Sequence, residues 1–212
     1  QQVAHFCSTV AGPSEKPVAA DDIVLFIDEF VGHIIATYQV TAPADGAKLV
    51  LLVQRALFPR IYEAALRLAP APPLRARDLP LLARLERLRE ERHPGIQIDD
   101  VFWAGKVDPL VDAEKILAYL PFQLAPPDMI YVLQKTVAAI CQVGKGVLHH
   151  NLAADEIVPL LVHTVVYAAP PGLHEALFMM EYLSQDVDRT GESGWCIAAF
   201  ETALNHIEDI KL

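Results

Sequence analysis

Long apolar runs are missing from this 212-residue chain, although 53% of its residues are hydrophobic. The longest stretches are interrupted by Gln54 and Arg55, by His163, or by Pro170 and Pro171, so none offers the roughly 20 apolar residues of a membrane-crossing helix. Cysteine is scarce too. Cys7, Cys141 and Cys196 are odd in number and lack Cys-x-x-Cys spacing, which argues against a disulfide framework or a cysteine zinc site and fits a reducing, cytoplasmic setting. Repeated apolar–polar alternation between hairpin turns is also absent, so a sheet is not expected and the fold class reads as all-α.

Positive charge is lacking in the second half. Residues 1–106 hold 12 Lys and Arg against 13 Asp and Glu, whereas residues 107–212 hold 5 against 14, so nearly all of the net −10 lies there. Such a half repels nucleic acid and anionic membranes and suits a partner that presents a basic group. The start, Gln1-Gln2, carries neither an initiator methionine nor a basic-then-apolar signal pattern, so a piece of a longer protein with flanking domains is expected.

What is present is helical periodicity with proline and glycine punctuation. Residues 1–18 read as a flexible leader. From Asp21, with Asp21 or Asp22 as cap, Ile23, Ile27, Phe30, Val31 and Ile34 mark an amphipathic helix. Pro43 to Gly46 reads as a break before a second helix, Leu49 to Leu68, with a kink or boundary at Pro59. A proline-rich connection follows, and Asp78 or Pro80 opens a helix whose Arg and Glu residues pair along its surface. Pro94 to Val107 reads as a loop or short helix, and Asp112 to Leu120 as a helix. Pro126-Pro127-Asp128 starts a longer one through Cys141, and Gln142 to Asn151 reads as a linker.

The stretch Asn151 to Phe200 concentrates the unusual features. Asp155 and Glu156 precede an apolar run with Pro159, a residue best tolerated in a helix's first turn, which places both carboxylates at a helix N-terminus. Pro170-Pro171 ends that helix, Leu173 to Leu183 forms the next, and Gly191-Glu192-Ser193-Gly194 turns into a third.

Familiar chemistries fit poorly. Val143-Gly144-Lys145-Gly146 lacks the first glycine and the Ser or Thr of a phosphate loop. Gly191-Glu192-Ser193-Gly194 has Trp195 where a nucleophile elbow needs its closing glycine, and no strand precedes it. His149, His150, His163 and His174 are not spaced as a helical ligand pair. Neither a metal nor a cofactor is expected, and no covalent chemistry.

The residues ADEIVPLLVHTVVYAAPPGLHEALFMMEYL followed by GESGW resemble the catalytic half of the vacuolar-protein-sorting-nine (VPS-nine) domain family. That pattern is an acidic pair, two apolar residues, proline, an apolar helix ending in Pro-Pro-x-Leu, then Gly-Glu-x-Gly-Tyr-Tyr and a final helix. The spacing matches without gaps from Asp155 to Leu183, and Pro127-Asp128-Met129-Ile130 meets an upstream helix start of the family. The resemblance covers about residues 75–212. It implies a layered helical domain at 71–212, preceded by a helical bundle segment at 19–70, with 19–212 as one structural unit.

The resemblance also implies a function. Members are guanine nucleotide exchange factors for early-endosomal Rab GTPases, mainly the Rab-five subfamily, so the implied partner is a Rab-family small GTPase and the implied place early endosomes. An aspartate at the helix start engages the GTPase's phosphate-binding lysine, and an aromatic from the glycine turn packs on its switch region. Carried over, the catalytic position falls on Glu156, with Asp155 as the acid before it. The GTPase-binding face falls on Pro159, Leu160, His163, Ala169, Trp195, Cys196, Ala198 and Ala199. Several departures stand out: Glu156 for aspartate, Cys196 for the second tyrosine, Ala198 for threonine, Ala199 for asparagine, and Ala169 for the asparagine before Pro-Pro. Two other readings stay open, an exchange-impaired domain that binds a Rab as an adaptor, and an unrelated helical scaffold.

Overall fold

Wherever the backbone hydrogen bonding is regular it is helical, and no strand occurs among the described residues. The computed structural model describes residues 2–12, 18–103, 108–185 and 188–212. In order these form α1 (Gln2–Ala11), α2 (Ala20–Tyr38), α3 (Pro43–Leu66), α4 (Leu74–Glu90), α5 (Val111–Leu117), α6 (Pro126–Leu148), α7 (Ala154–Ala168), α8 (Leu173–Tyr182) and α9 (Gly191–Asp209). Short 3-10 turns occupy Pro94–Ile96, Asp100–Trp103 and Leu120–Phe122.

The core runs through α6 and α7. On α6, Met129, Leu133, Val137 and Ile140 are buried at helical spacing. On α7, every residue from Leu160 to Val166 is buried, so this helix is enclosed on all sides, as an all-round apolar segment must be. Helix α5 packs on both, α9 packs on both from another side, and α4 pairs with α8. The first three helices form a group of their own, and α3 touches α6 and α8. Arg55 ties α3 to the first turn of α6, its Nε donating to both carboxylate oxygens of Asp128 at 3.0 and 3.1 Å. Being largely exposed, that pair contributes about 1 kcal/mol or less.

Several sequence expectations are revised by contacts that lie far apart in the chain. Gln2–Ala11 is a helix rather than part of an unordered leader; Gln1 and residues 13–17 lie outside the described residues. A helix of that length is marginal alone. Here Phe6 stacks on Phe26 with ring centroids 3.8 Å apart, and Phe26 stacks on Phe30. Helix α3 starts at Pro43, where a break is predicted, because proline is well suited to a helix's first position. It also continues through Pro59, flanked by the buried Leu57, Phe58 and Ile61. Burying those side chains, at about 2 kcal/mol each, outweighs the ~3 kcal/mol cost of an interior proline.

Helix α4 begins at Leu74, so neither Asp78 nor Pro80 opens it. Asp78 is buried and serves another helix: its carboxylate accepts from the His174 backbone N–H at 2.8 Å and that of Glu175 at 3.4 Å. Those are free donors at the start of α8, which lacks a side-chain cap of its own. Helix α6 runs on to Leu148, through the Gly144-Lys145-Gly146 segment that the sequence suggests is a linker. A Cβ on Gly144 would lie 2.3 Å from the Leu152 side chain, so the glycine marks a close helix–loop contact.

Candidate functional site

Helix α7 starts with an alanine at its N-cap, so no cap side chain satisfies its first backbone donors. Glu156, at the third helical position, reaches back instead, and its Oε2 accepts the Ala153 N–H at 2.7 Å. Asp22 holds the start of α2 in the same way, accepting the Ala19 N–H at 2.8 Å. Glu156 is half-buried and engaged at its own helix start, whereas Asp155 is exposed. Pro159 lies in the second turn rather than the first. Having no N–H, it offers the Asp155 carbonyl no donor at the usual i+4 position.

The start of α9 packs on the same helix. Leu152, just before α7, packs against Gly144 of α6, and Ser193, in the first turn of α9, is hydrogen-bonded to Gln134 of α6, so both helix starts abut α6. Gly191 has φ +60°, and a Cβ on Gly194 would lie 2.2 Å from the Arg189 carbonyl oxygen, so both glycines of the turn are required by geometry. They form the first turn of α9. Ser193 Oγ accepts from Gln134 Nε2 at 3.1 Å, pinning this turn to α6.

The carried-over binding face divides into surface and interior. Pro159 and Ala198 are exposed, and Trp195 is 36% exposed, the large side chain that this part of α9 presents. Leu160, Cys196 and Ala199 are buried core residues, and their side chains offer no surface to a partner. The Cys196 thiol is pushed up to about 11, chiefly by burial and then by Glu192 and Cys141. Ala169 caps α7 with φ 39°, in the left-handed region. Asparagine tolerates that conformation better than alanine, which gives the family's preference at this position a backbone reason.

His163 faces away from this surface. It is buried, stacks on Tyr167 at 4.3 Å, and its Nδ1 lies 2.9 Å from the Ile96 carbonyl oxygen, so Nδ1–H donates there. Its Nε2 lies 3.5 Å from Asp108 Oδ2. With Glu114 these residues bring three potential ligand atoms within 4.8 Å of one another, an arrangement assembled from three elements that sequence spacing cannot reveal. Burial, then the neighbouring Asp108 carboxylate, pushes the Glu114 carboxyl from its ordinary 4.5 up to about 7. The folded chain therefore binds more protons than the unfolded one between these values, and stability falls as pH rises through that window. Glu114→Gln is expected to flatten that fall, read as urea midpoints at about pH 5 and about pH 7.5. An unchanged slope would refute the role of Glu114.

No helix among the described residues is long and apolar enough to cross a membrane. The family model for the Vacuolar sorting protein 9 (VPS9) domain matches residues 110–212, which takes in α5 to α9 and both helix starts described above. The Alsin homolog of Drosophila melanogaster is 26% identical over 109 residues, which cover 48% of this chain and 7% of that protein. The chain thus spans a small part of that curated relative. A VPS9 domain in general carries Rab guanine nucleotide exchange activity and has a small GTPase as its partner. Over residues 110–212, just under half of its length, this chain is similar to the VPS9 domain family.

Proposed function

We propose that this domain is a guanine nucleotide exchange factor for a Rab GTPase of the Rab-five subfamily, acting on early endosomes. The observation that carries the reading is the division of labour at the start of α7. Glu156 is engaged with the Ala153 N–H, which leaves the exposed Asp155 as the carboxylate available to a partner. A GTPase holds its nucleotide through a phosphate-binding lysine, backbone donors and Mg²⁺. A carboxylate presented to that lysine competes with the phosphates. By linkage, a protein that binds the nucleotide-free form better than the loaded form loosens the nucleotide by the same factor. Asp155 and Glu156 form the catalytic element, the first by contact and the second by holding the helix start.

Around it, Pro159, Trp195 and Ala198 supply the contact surface, and Leu160, His163, Ala169, Cys196 and Ala199 support it from behind. Residues 19–70 act as the bundle that braces the domain at 71–212. The acidic balance of the second half suits the basic phosphate-binding lysine of the partner.

The test is release of a fluorescent GDP analogue from a panel of purified Rab proteins, with and without this chain. Acceleration confined to Rab-five relatives is the expected result. Acceleration of other Rabs alone would overturn the proposed specificity. Binding to a Rab without acceleration would support the adaptor reading, which the burial of Cys196 and the bare Ala198 favour, since both positions lack the polar or aromatic group of the family pattern.

A further inference from the structure

A second cavity-lining constellation lies apart from the α7 start, between the first helices and the VPS9-like region. The cavity has a volume of about 550 Å³, within the range of small-molecule sites. Val50 and Leu51 of α3 and Ile130 of α6 give it an apolar wall, and Gln54 and Gln185 line it as well. Those side chains are 1% and 5% exposed. Among the described residues, neither Gln54 Oε1 nor Gln185 Nε2, both buried, has a hydrogen-bond partner. A buried polar atom left unpaired costs about 1–3 kcal/mol, so two at one cavity mark a place where a donor and an acceptor are missing.

Charge narrows the occupant. Asp28, Asp128 and Asp188 line the cavity against one guanidinium, Arg55, which is already bound to Asp128. Burial also raises the Asp188 carboxyl above its ordinary range, so added negative charge there is unfavourable. An amide carries one N–H and one C=O, the two groups that the orphaned glutamine atoms lack, and it would satisfy them in either orientation of the glutamine side chains.

We propose that this cavity binds a small ligand bearing an amide on an apolar body and no negative charge, its N–H received by Gln54 and its C=O by Gln185. The site does not depend on the exchange reading. It joins α3, α6 and the turn into α9 around one molecule, with Ser193 at its edge.

Three leucine derivatives test it: leucinamide, N-acetyl-leucinamide and N-acetyl-leucine, the last two matched in size, titrated into the ¹⁵N-labelled chain while the side-chain amide signals of Gln54 and Gln185 are followed. Both amides are expected to shift those signals saturably, with a Kd on the order of 1 mM for ligands this small, and leucinamide more tightly than its neutral analogue. N-acetyl-leucine is expected to leave them unmoved. Gln54→Leu should weaken leucinamide about tenfold, the value of one hydrogen bond. Should that variant not fold, Leu51→Trp, which fills the cavity and leaves both glutamines in place, should abolish the ligand-induced shifts. No saturable shift with any probe would mean hydration only, and equal binding of N-acetyl-leucine, or unchanged affinity in Leu51→Trp, would also overturn the proposal.

Discussion

Replacing Asp155 by alanine is expected to slow stimulated GDP release roughly 100-fold, as removal of a positioned charge-stabilising group does. Because this side chain is exposed, the unfolding midpoint should hardly move. Glu156→Ala should behave in the opposite way. It removes the acceptor for the Ala153 N–H, so stability should fall by about 1 kcal/mol, as for a lost helix cap, while exchange by the folded fraction is retained in large part. The pair of variants separates the two carboxylates by two measurements, nucleotide release and urea unfolding. A large loss of exchange in Glu156→Ala with little loss in Asp155→Ala would reverse the assignment. Equal, small effects in both would remove this helix start from the mechanism.

The second large effect is structural. Asp78→Ala is expected to cost about 3 kcal/mol, because it leaves more than one buried donor without its acceptor at roughly 1–3 kcal/mol each. Asp78 accepts from the backbone N–H groups of His174 and Glu175, and its Oδ1 lies 2.9 Å from His174 Nδ1. The other ring nitrogen lies 3.1 Å from Glu208 Oε1, so His174 links α4 and α9 as well as starting α8. Alanine strands those donors away from water. Urea unfolding of Asp78→Ala and Asp78→Asn measures the loss, and asparagine should recover part of it because it keeps one acceptor oxygen. A loss below about 1 kcal/mol in the alanine variant would mean that α8 is held by packing alone.

These two sites show what the sequence made legible. The helical pattern around Ile23, Ile27 and Val31, or around Leu160 and Leu161, reflects local spacing, and these segments fold as their periodicity demands. The start of α7 carries only a partial mark: Pro159 and the acidic pair point to a helix N-terminus, but Ala153 is not a capping residue, so the reach-back that sets Glu156 apart from Asp155 is visible only in the structure. Other features had no local mark. Asp78 reads as a cap for its own helix because the donors it meets lie 96 and 97 residues away. Helix α1 depends on the Phe6–Phe26 stack, and the grouping of Asp108, Glu114 and His163 depends on three separate elements. Cys196 and Trp195 are neighbours in sequence with opposite fates, one in the core and one at the surface, and only the rotation of α9 on α6 and α7 decides which is which.

The glycines on either side of Lys145 carry unequal burdens. At Gly146 an added methyl group would meet nothing within 4 Å, whereas at Gly144 the Leu152 side chain already occupies that space, and at Gly194 the backbone itself does. Glycine content is therefore a misleading guide to looseness in this chain. At positions 144 and 194 the missing side chain works as a fitted seat, letting one segment press directly on another, and the two helix starts of the candidate site inherit their rigidity from that absence.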